Sequence, residues 1–87
     1  MAKHDKIAHK ILSGRSDANI KFNDIYALLI YLGFEVRIKG SHHIFRKEGV
    51  RELINLQKDG NKAKPYQVRQ IRTMLIEYNL IKEVNGG

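Results

Sequence analysis

The fold is decided by residues 34–49, FEVRIKGSHHIFRKEG, in which apolar and polar residues alternate on either side of a short KGS step. Alternation with a period of two is typical of half-buried strands, because successive strand side chains point to opposite faces of a sheet. Phe34, Val36 and Ile38 therefore share the buried face of one strand, and residues 42–47 form the next. The polar step between the two strands predicts a β-hairpin.

A helix precedes this hairpin, in the segment NDIYALLIYLGF at residues 23–34. The apolar residues that recur at i, i+3, i+4 and i+7, on one face of this helix, are Ile25, Leu28, Leu29 and Leu32. Either Asn23 or Asp24 is expected to cap the first turn. Gly33 is expected to end the helix in a left-handed conformation, with Phe34 packing back towards the last turn.

Further segments complete the chain. DKIAHKILS at residues 5–13 has the apolar spacing of a short amphipathic helix, and residues 52–57 predict a third strand after a turn. A polar loop, KDGNKAK, follows at residues 58–64, and Pro65 occupies the preferred first position of a last helix. The apolar stripe of that helix comprises Val68, Ile71, Leu75 and Tyr78.

The element order is helix, helix, three antiparallel strands, helix. A three-stranded sheet needs one face covered, and helices lying on the same side of it can cover that face. This predicts an α+β fold of the double-stranded-RNA-binding-domain kind, with the helices packed on one face of a three-stranded antiparallel sheet and an extra N-terminal helix. Residues 1–22 are interpreted as an N-terminal helical extension and residues 23–82 as the main domain, together forming one compact unit.

The composition favours a polyanionic partner. The 87 residues suffice for one small domain, and 16 Lys and Arg against nine Asp and Glu give a net charge of +7. So basic a surface favours nucleic acid, although a basic protein without such a partner is the alternative. The absence of cysteine excludes disulfides and thiolate metal sites. With no apolar run long enough to span a bilayer and no signal-peptide pattern, a cytoplasmic location is expected.

The adjacent histidines, His42 and His43, are the candidate chemical groups. Their rings should point to opposite faces of a strand and so cannot share one metal ion, and zinc needs three or four converging ligands. The acidic residues are scattered, which argues against a magnesium site, so neither a metal nor another cofactor is expected. If Phe45 faces the core, then so does His43. His42 then lies on the open face with Ile44 and Arg46, although a different register would exchange the two faces.

A single histidine is sufficient for one kind of chemistry. RNA carries its own nucleophile, the 2′-hydroxyl group, so its cleavage needs a base, an acid, positioning and charge stabilisation. One histidine with basic neighbours could supply these functions without a metal ion. The alternative for a lone histidine is a surface or core residue without a chemical role.

The order of segments around the hairpin resembles a known family. The run GSHHIFRKEG, an INLQ strand, a GNKAKP loop and the helix YQVRQIRTMLIEYNL are similar to the HicA toxins of bacterial toxin–antitoxin systems, over residues 24–80. The resemblance implies a double-stranded-RNA-binding fold that acts as an mRNA interferase, an endoribonuclease that arrests translation and growth. It also implies that the histidine of the Gly-Ser-His step is catalytic, here His42 after Gly40 and Ser41, and that the partner is a HicB-like antitoxin.

The basic residues are expected to contact RNA. Phosphate contacts position RNA without specifying its sequence, and lysines crowd the loop before the last helix, whose N-terminal amide groups attract anions. The residues expected to bind RNA are Lys39, Arg46, Lys58, Lys62, Lys64, Arg69 and Arg72. For each of them the alternative is a solvated basic surface. A second hypothesis for the whole chain is a non-catalytic module of the same fold that binds RNA or a protein.

Overall fold

Three helices, a three-stranded sheet and a short ribbon make up residues 3–80, the part of the chain that the structure, a computed structural model, describes. The elements in chain order are α1 (Lys3–Ser13), α2 (Phe22–Tyr31), β1 (Glu35–Lys39), β2 (His42–Arg46), β3 (Ile54–Leu56), β4 (Lys58–Asp59), β5 (Lys62–Ala63) and α3 (Pro65–Glu77). The strands β1, β2 and β3 form one antiparallel sheet in that order, and β4 pairs with β5 in the ribbon. The predicted α+β architecture is confirmed. The β4–β5 ribbon was not predicted. The sequence of residues 58–64 indicates a Gly-Asn turn but no strands beside it.

One face of the three-stranded sheet is covered. Phe45 on β2, together with Ile54 and Leu56 on β3, is fully buried on this face. The helix α3 packs against β3, and the ring of Tyr26 on α2 meets the edge of Phe45 with 5.4 Å between ring centroids. None of the helices in the described part of the chain has the length and apolar character needed to cross a membrane. Among residues 3–80, no helix covers the opposite face, which is called the open face below.

The first helix contributes to the same hydrophobic core. Its residues Ile7, Ala8 and Ile11 are buried, and α1 packs against both α2 and α3. The predicted division into an extension and a main domain at residue 22 stays a prediction. Parts of both predicted segments, residues 1–2 and 81–82, lie outside the described chain.

The C-terminus of α2 turns the chain into the sheet. Gly33 adopts a φ of +96°, a left-handed conformation that glycine tolerates without strain. Its amide donates to the Ile30 carbonyl at 3.0 Å, and the Phe34 amide donates to the Leu29 carbonyl at 3.0 Å. These are the two hydrogen bonds of a Schellman motif, so the predicted end of the helix is confirmed.

The N-terminus of α2 differs from the prediction. The helix begins at Phe22, and Lys21 occupies the N-cap position with no side-chain capping hydrogen bond. The Phe22 amide donates instead to the backbone carbonyl of Asn61 at 3.0 Å. The expectation that Asn23 or Asp24 caps the helix is therefore wrong, because a contact with the distant turn between β4 and β5 satisfies this end.

The strands β1 and β2 form the predicted hairpin. Lys39 pairs with His42, which leaves Gly40 and Ser41 as a two-residue turn. The expected apolar face of β1 ends early, since Ile38 is 57% exposed. Ile38 lies next to the turn on β1, which is an edge strand of the sheet.

The last helix has the predicted start and apolar stripe. Pro65 is its first residue, and the stripe is buried except for Tyr78, which lies just beyond the helix and is half-buried. The buried side of α3 also contains Met74 and one polar residue, Gln67, which is only 2% exposed. A buried amide needs hydrogen-bond partners, and those of Gln67 lie beside the candidate site.

Candidate active site on the open face of the sheet

The register of the hairpin places His42 on the open face. His42 pairs with Lys39, and two residues further along β2, Ile44 pairs with Arg37. Residues directly opposite each other on antiparallel strands share a face, so these four side chains lie on the same side of the sheet. The prediction that His42, Ile44 and Arg46 share the open face is confirmed.

The register places His43 on the covered face. Its ring meets the rings of Phe22 and Tyr26 edge-on, with centroid separations of 4.9 Å and 5.9 Å. Its Nδ1 atom is buried and has no hydrogen-bond partner among residues 3–80. Because the two histidine rings face opposite ways, they cannot bind one ion together. Within residues 3–80, no three His, Asp or Glu side chains converge in a way that would hold a metal ion.

The ring of His42 is exposed and has one hydrogen-bond partner among residues 3–80. Its Nδ1 atom lies 3.2 Å from Oδ1 of Asn55. Asn55 pairs with Ile44 across β2 and β3, so it lies on the open face, diagonally across from His42. One ring nitrogen is thus engaged by the protein, and Nε2 has no hydrogen-bond partner among residues 3–80.

The hairpin turn before His42 is tied to the segment before α3. Gly40 adopts a φ of +59°, which the two-residue turn requires and which glycine supplies without strain. Ser41 Oγ accepts a hydrogen bond from Gln57 Nε2 at 3.2 Å, and Gln57 Oε1 accepts one from Lys64 Nζ at 3.3 Å. The structure therefore brings five of the predicted site residues together at one end of the sheet: Lys39, Gly40, Ser41, His42 and Lys64.

The buried amide of Gln67 holds the outer edge of β3. Its Nε2 donates to the Asn55 carbonyl at 2.9 Å, and its Oε1 accepts from the Gln57 amide at 3.3 Å. The carbonyl of one residue and the amide of the second residue after it point to the same edge of a strand, so Gln67 pairs with them as a neighbouring strand would. This contact explains why α3 carries a polar residue on its buried side.

None of Asn55, Gln57 and Gln67 stands out in the sequence as a candidate site residue. Only Gln67 carries a usable signal, because it lies four residues before Ile71 on the apolar stripe, where a polar residue indicates a buried hydrogen bond. Asn55 alternates with inward-facing residues, and a polar residue at such a position is ordinary.

Two of the predicted RNA-binding residues lie on the open face itself. Lys39 and Arg46 are both exposed, and Arg46 pairs with Glu35 four residues along β2 from His42, which is about 13 Å at the usual rise of a strand. A groove of about 370 Å³ occupies this face. Its lining residues are Glu35, Val36, Arg37, Lys39, Ile44, Arg46 and Leu53.

The remaining predicted lysines lie on or next to the β4–β5 ribbon. Lys58 Nζ sits 5.4 Å from the centre of the Phe22 ring, a cation–π contact, and Lys62 Nζ donates to Asn19 Oδ1 at 3.0 Å. Arg69 is exposed on α3.

Arg72 has a structural partner. Its guanidinium group donates to both carboxylate oxygens of Asp17, at 2.9 Å and 3.2 Å, and to the Ile11 carbonyl at 3.1 Å. The hydrogen bond to Asp17 outweighs partial burial and raises the pKa of Arg72 above its ordinary value. The expected RNA contact of Arg72 stays a prediction. Its hydrogen bonds to Ile11 and Asp17 join α3 to α1 and to the loop after α1.

The comparison with protein families matches residues 22–82 to a family described as "HicA toxin of bacterial toxin-antitoxin". The comparisons with curated proteins and with solved structures find no match. The matched segment covers more than half of the chain and contains α2, both sheets and α3, and therefore the whole candidate site. The chain belongs to the HicA toxin family, the toxins of toxin–antitoxin systems that in general pair with a HicB antitoxin.

Proposed function

We propose that this toxin is an mRNA interferase, an endoribonuclease that cuts mRNA without a metal ion and uses His42 as its general base or acid. The observation that carries the proposal is one exposed histidine on an open, basic sheet face, anchored through Nδ1 while its neighbour His43 packs among aromatic rings. Cleavage of mRNA would arrest translation and growth, which is how a toxin of this kind would act on its own cell.

The proposed reaction uses the nucleophile that RNA carries. The 2′-oxygen attacks the adjacent phosphorus, the bond from phosphorus to the 5′-oxygen breaks, and a 2′,3′-cyclic phosphate and a free 5′-hydroxyl result. As a base, the free ring nitrogen of His42 takes the proton of the 2′-hydroxyl; as an acid, it gives a proton to the leaving 5′-oxygen. Lys39, directly opposite on β1, is positioned to stabilise the negative charge that develops on the phosphate.

Basic residues around His42 supply the proposed RNA contacts. Lys39 and Lys64 stand closest to the hairpin turn, the first by strand pairing and the second through Gln57. Arg37 and Arg46 continue along the groove of the open face. Phosphates bound at these positions would place the scissile bond over His42, and we propose that Lys58, Lys62 and Arg69 extend the same contact.

Purified protein tests the proposal. We expect wild-type protein to cut an unstructured RNA in the presence of EDTA, and His42→Ala to lose cleavage while keeping RNA binding. The matched control is His9→Ala, because His9 is an exposed histidine on α1 away from the sheet, and this variant should cut like wild type.

Each contrary result has a separate meaning. Unchanged cleavage by His42→Ala would contradict the catalytic assignment. A protein that binds RNA but never cuts it would favour the second hypothesis, a non-catalytic RNA-binding module. In cells, expression of the toxin alone should stop growth, and co-expression of its HicB-like antitoxin should restore growth.

A further inference from the structure

We infer that Asn55 is a positioning residue for His42. Its side-chain oxygen accepts a hydrogen bond from Nδ1–H, and this leaves Nε2 as the ring nitrogen that exchanges protons with RNA. The inference rests on the proposed ribonuclease function and adds to it a residue on β3 and a defined tautomer of the catalytic ring.

The contact determines which ring nitrogen carries the proton. His42 Nδ1 lies 3.2 Å from Asn55 Oδ1. An amide oxygen accepts hydrogen bonds and cannot donate them, so the proton of the neutral imidazole must lie on Nδ1. The lone pair is then on Nε2, at the opposite side of the ring. Because the ring is exposed and has no other partner among residues 3–80, it would exchange between tautomers and rotamers without Asn55.

Asn55 is itself held on both edges of its strand. On the inner edge β3 pairs with β2, with Asn55 opposite Ile44. On the outer edge the Asn55 carbonyl accepts the 2.9 Å hydrogen bond from Gln67, whose side chain is 2% exposed. A side chain that orients a catalytic group is effective only if its own backbone is fixed, and the buried amide of Gln67 supplies that support.

A second amide holds the turn next to the ring. Gln57 lies two residues after Asn55, and its backbone amide donates to Gln67. Its side-chain amide donates to the Ser41 hydroxyl at 3.2 Å. Asn55 therefore holds the His42 ring and Gln57 holds the preceding turn, while Gln67 supports both. The hairpin tip is fixed to β3 and α3, although its apolar side is exposed at Ile38.

The test combines the ring spectrum with kinetics. In ¹⁵N-labelled wild-type protein at neutral pH, NMR of the His42 ring should show a protonated Nδ1 and an unprotonated Nε2. Asn55→Ala should populate both tautomers and lower kcat about 10- to 100-fold with little change in KM, the usual cost of losing a group that orients a catalytic ligand. Asn23→Ala is the matched control, because Asn23 is exposed and makes no capping bond, and it should leave the spectrum and the rate unchanged.

A conservative variant separates positioning from structural support. Asn55→Asp keeps an oxygen that accepts the Nδ1–H bond, so we expect cleavage to return to within a few-fold of wild type. Its carboxylate also stabilises the protonated ring. With His42 as the base, the loss of activity on acidification should therefore occur at a higher pH than in wild type. A residue that only supported the fold would leave the tautomer of the His42 ring unchanged when it is replaced.

The outcomes distinguish this inference from the proposed function. If the wild-type ring is protonated on Nε2, or if Asn55→Ala keeps both the wild-type tautomer and the wild-type rate, the inference is overturned. If wild-type protein cuts no RNA, the proposed function fails, whereas the ring spectrum still decides whether Asn55 selects the tautomer. If Asn55→Ala does not fold, the wild-type ring spectrum decides, and a folded Asn55→Asp that loses cleavage also overturns the inference.

Discussion

His42 and His43 are neighbours in the chain, but the sheet places them in two different environments. The ring of His42 is exposed on the open face and has a polar partner in Asn55. The ring of His43 packs against Phe22 and Tyr26 on the covered face, and its buried Nδ1 has no partner among residues 3–80. Two identical side chains thus serve as a proposed catalytic group and as a part of the core, and the difference comes from the face that each occupies.

The largest expected effect is on cleavage. His42→Ala should reduce the rate about 100- to 10,000-fold, the range typical of losing a general acid or base, with a melting temperature close to that of wild type. His43→Phe should cut RNA at nearly the wild-type rate, because His43 faces away from the substrate side. Initial rates on one RNA, measured for both variants, check this contrast. Substantial cleavage by His42→Ala, or a loss of cleavage in a folded His43→Phe, would contradict the assignment of different roles to the two histidines.

The next effect tests the link between the two faces. Gln67→Leu should lower the free energy of unfolding by about 2 kcal/mol or more, because the Asn55 carbonyl and the Gln57 amide lose their buried partner. It should also reduce cleavage, since both residues hold the hairpin that carries His42. Denaturant titration measures the first effect. The control is Gln70→Leu, the same substitution at an exposed position on α3, which should change stability by no more than about 0.5 kcal/mol.

A smaller effect is expected at His43. His43→Ala removes edge contacts with two aromatic rings and should cost about 1 to 2 kcal/mol of unfolding free energy. His43→Phe keeps those contacts and removes a buried nitrogen that lacks a partner, so it should be as stable as wild type or more stable. Thermal melts of the two variants check this order. A marked loss of stability in His43→Phe would show that the imidazole nitrogens contribute to the core.

The smallest effect concerns one phosphate contact. In the His42→Ala background, RNA binding can be measured without cleavage, and Lys64→Gln should reduce the slope of log affinity against log salt by about 0.7, the value for one contact to a single strand. Lys6→Gln, which removes an exposed charge from α1, should leave the slope unchanged. Equal changes in the two variants would mean that total charge, and not the open face, governs binding.

Much of this arrangement was predictable from local sequence. Gly33 ends α2 because the left-handed conformation there suits glycine, and Gly40 with Ser41 closes the hairpin for a similar reason. Strict alternation along residues 42–46 then separates His42 from His43. Each of these features depends on residues that are adjacent or nearly so, and so a single sequence is enough to predict them.

Other features depend on residues far apart in the chain. Arg72, one of the residues predicted to contact RNA, is bound to Asp17, which comes from the loop after α1. The first backbone amide of α2, that of Phe22, donates to the Asn61 carbonyl and not to a side chain in the first turn of the helix. A basic residue or a helix start looks the same in the sequence whether or not such a distant partner exists.

The sequence by itself determined the order of the elements, the hairpin and the separation of the two histidines, because backbone preferences and side-chain periodicity act over a few neighbouring residues. Only the tertiary structure decided that His42 meets Asn55 and that Gln67 supports the strand between them. Those contacts join β2, β3 and α3, and they follow from how the strands pair and how α3 packs, which no local pattern records.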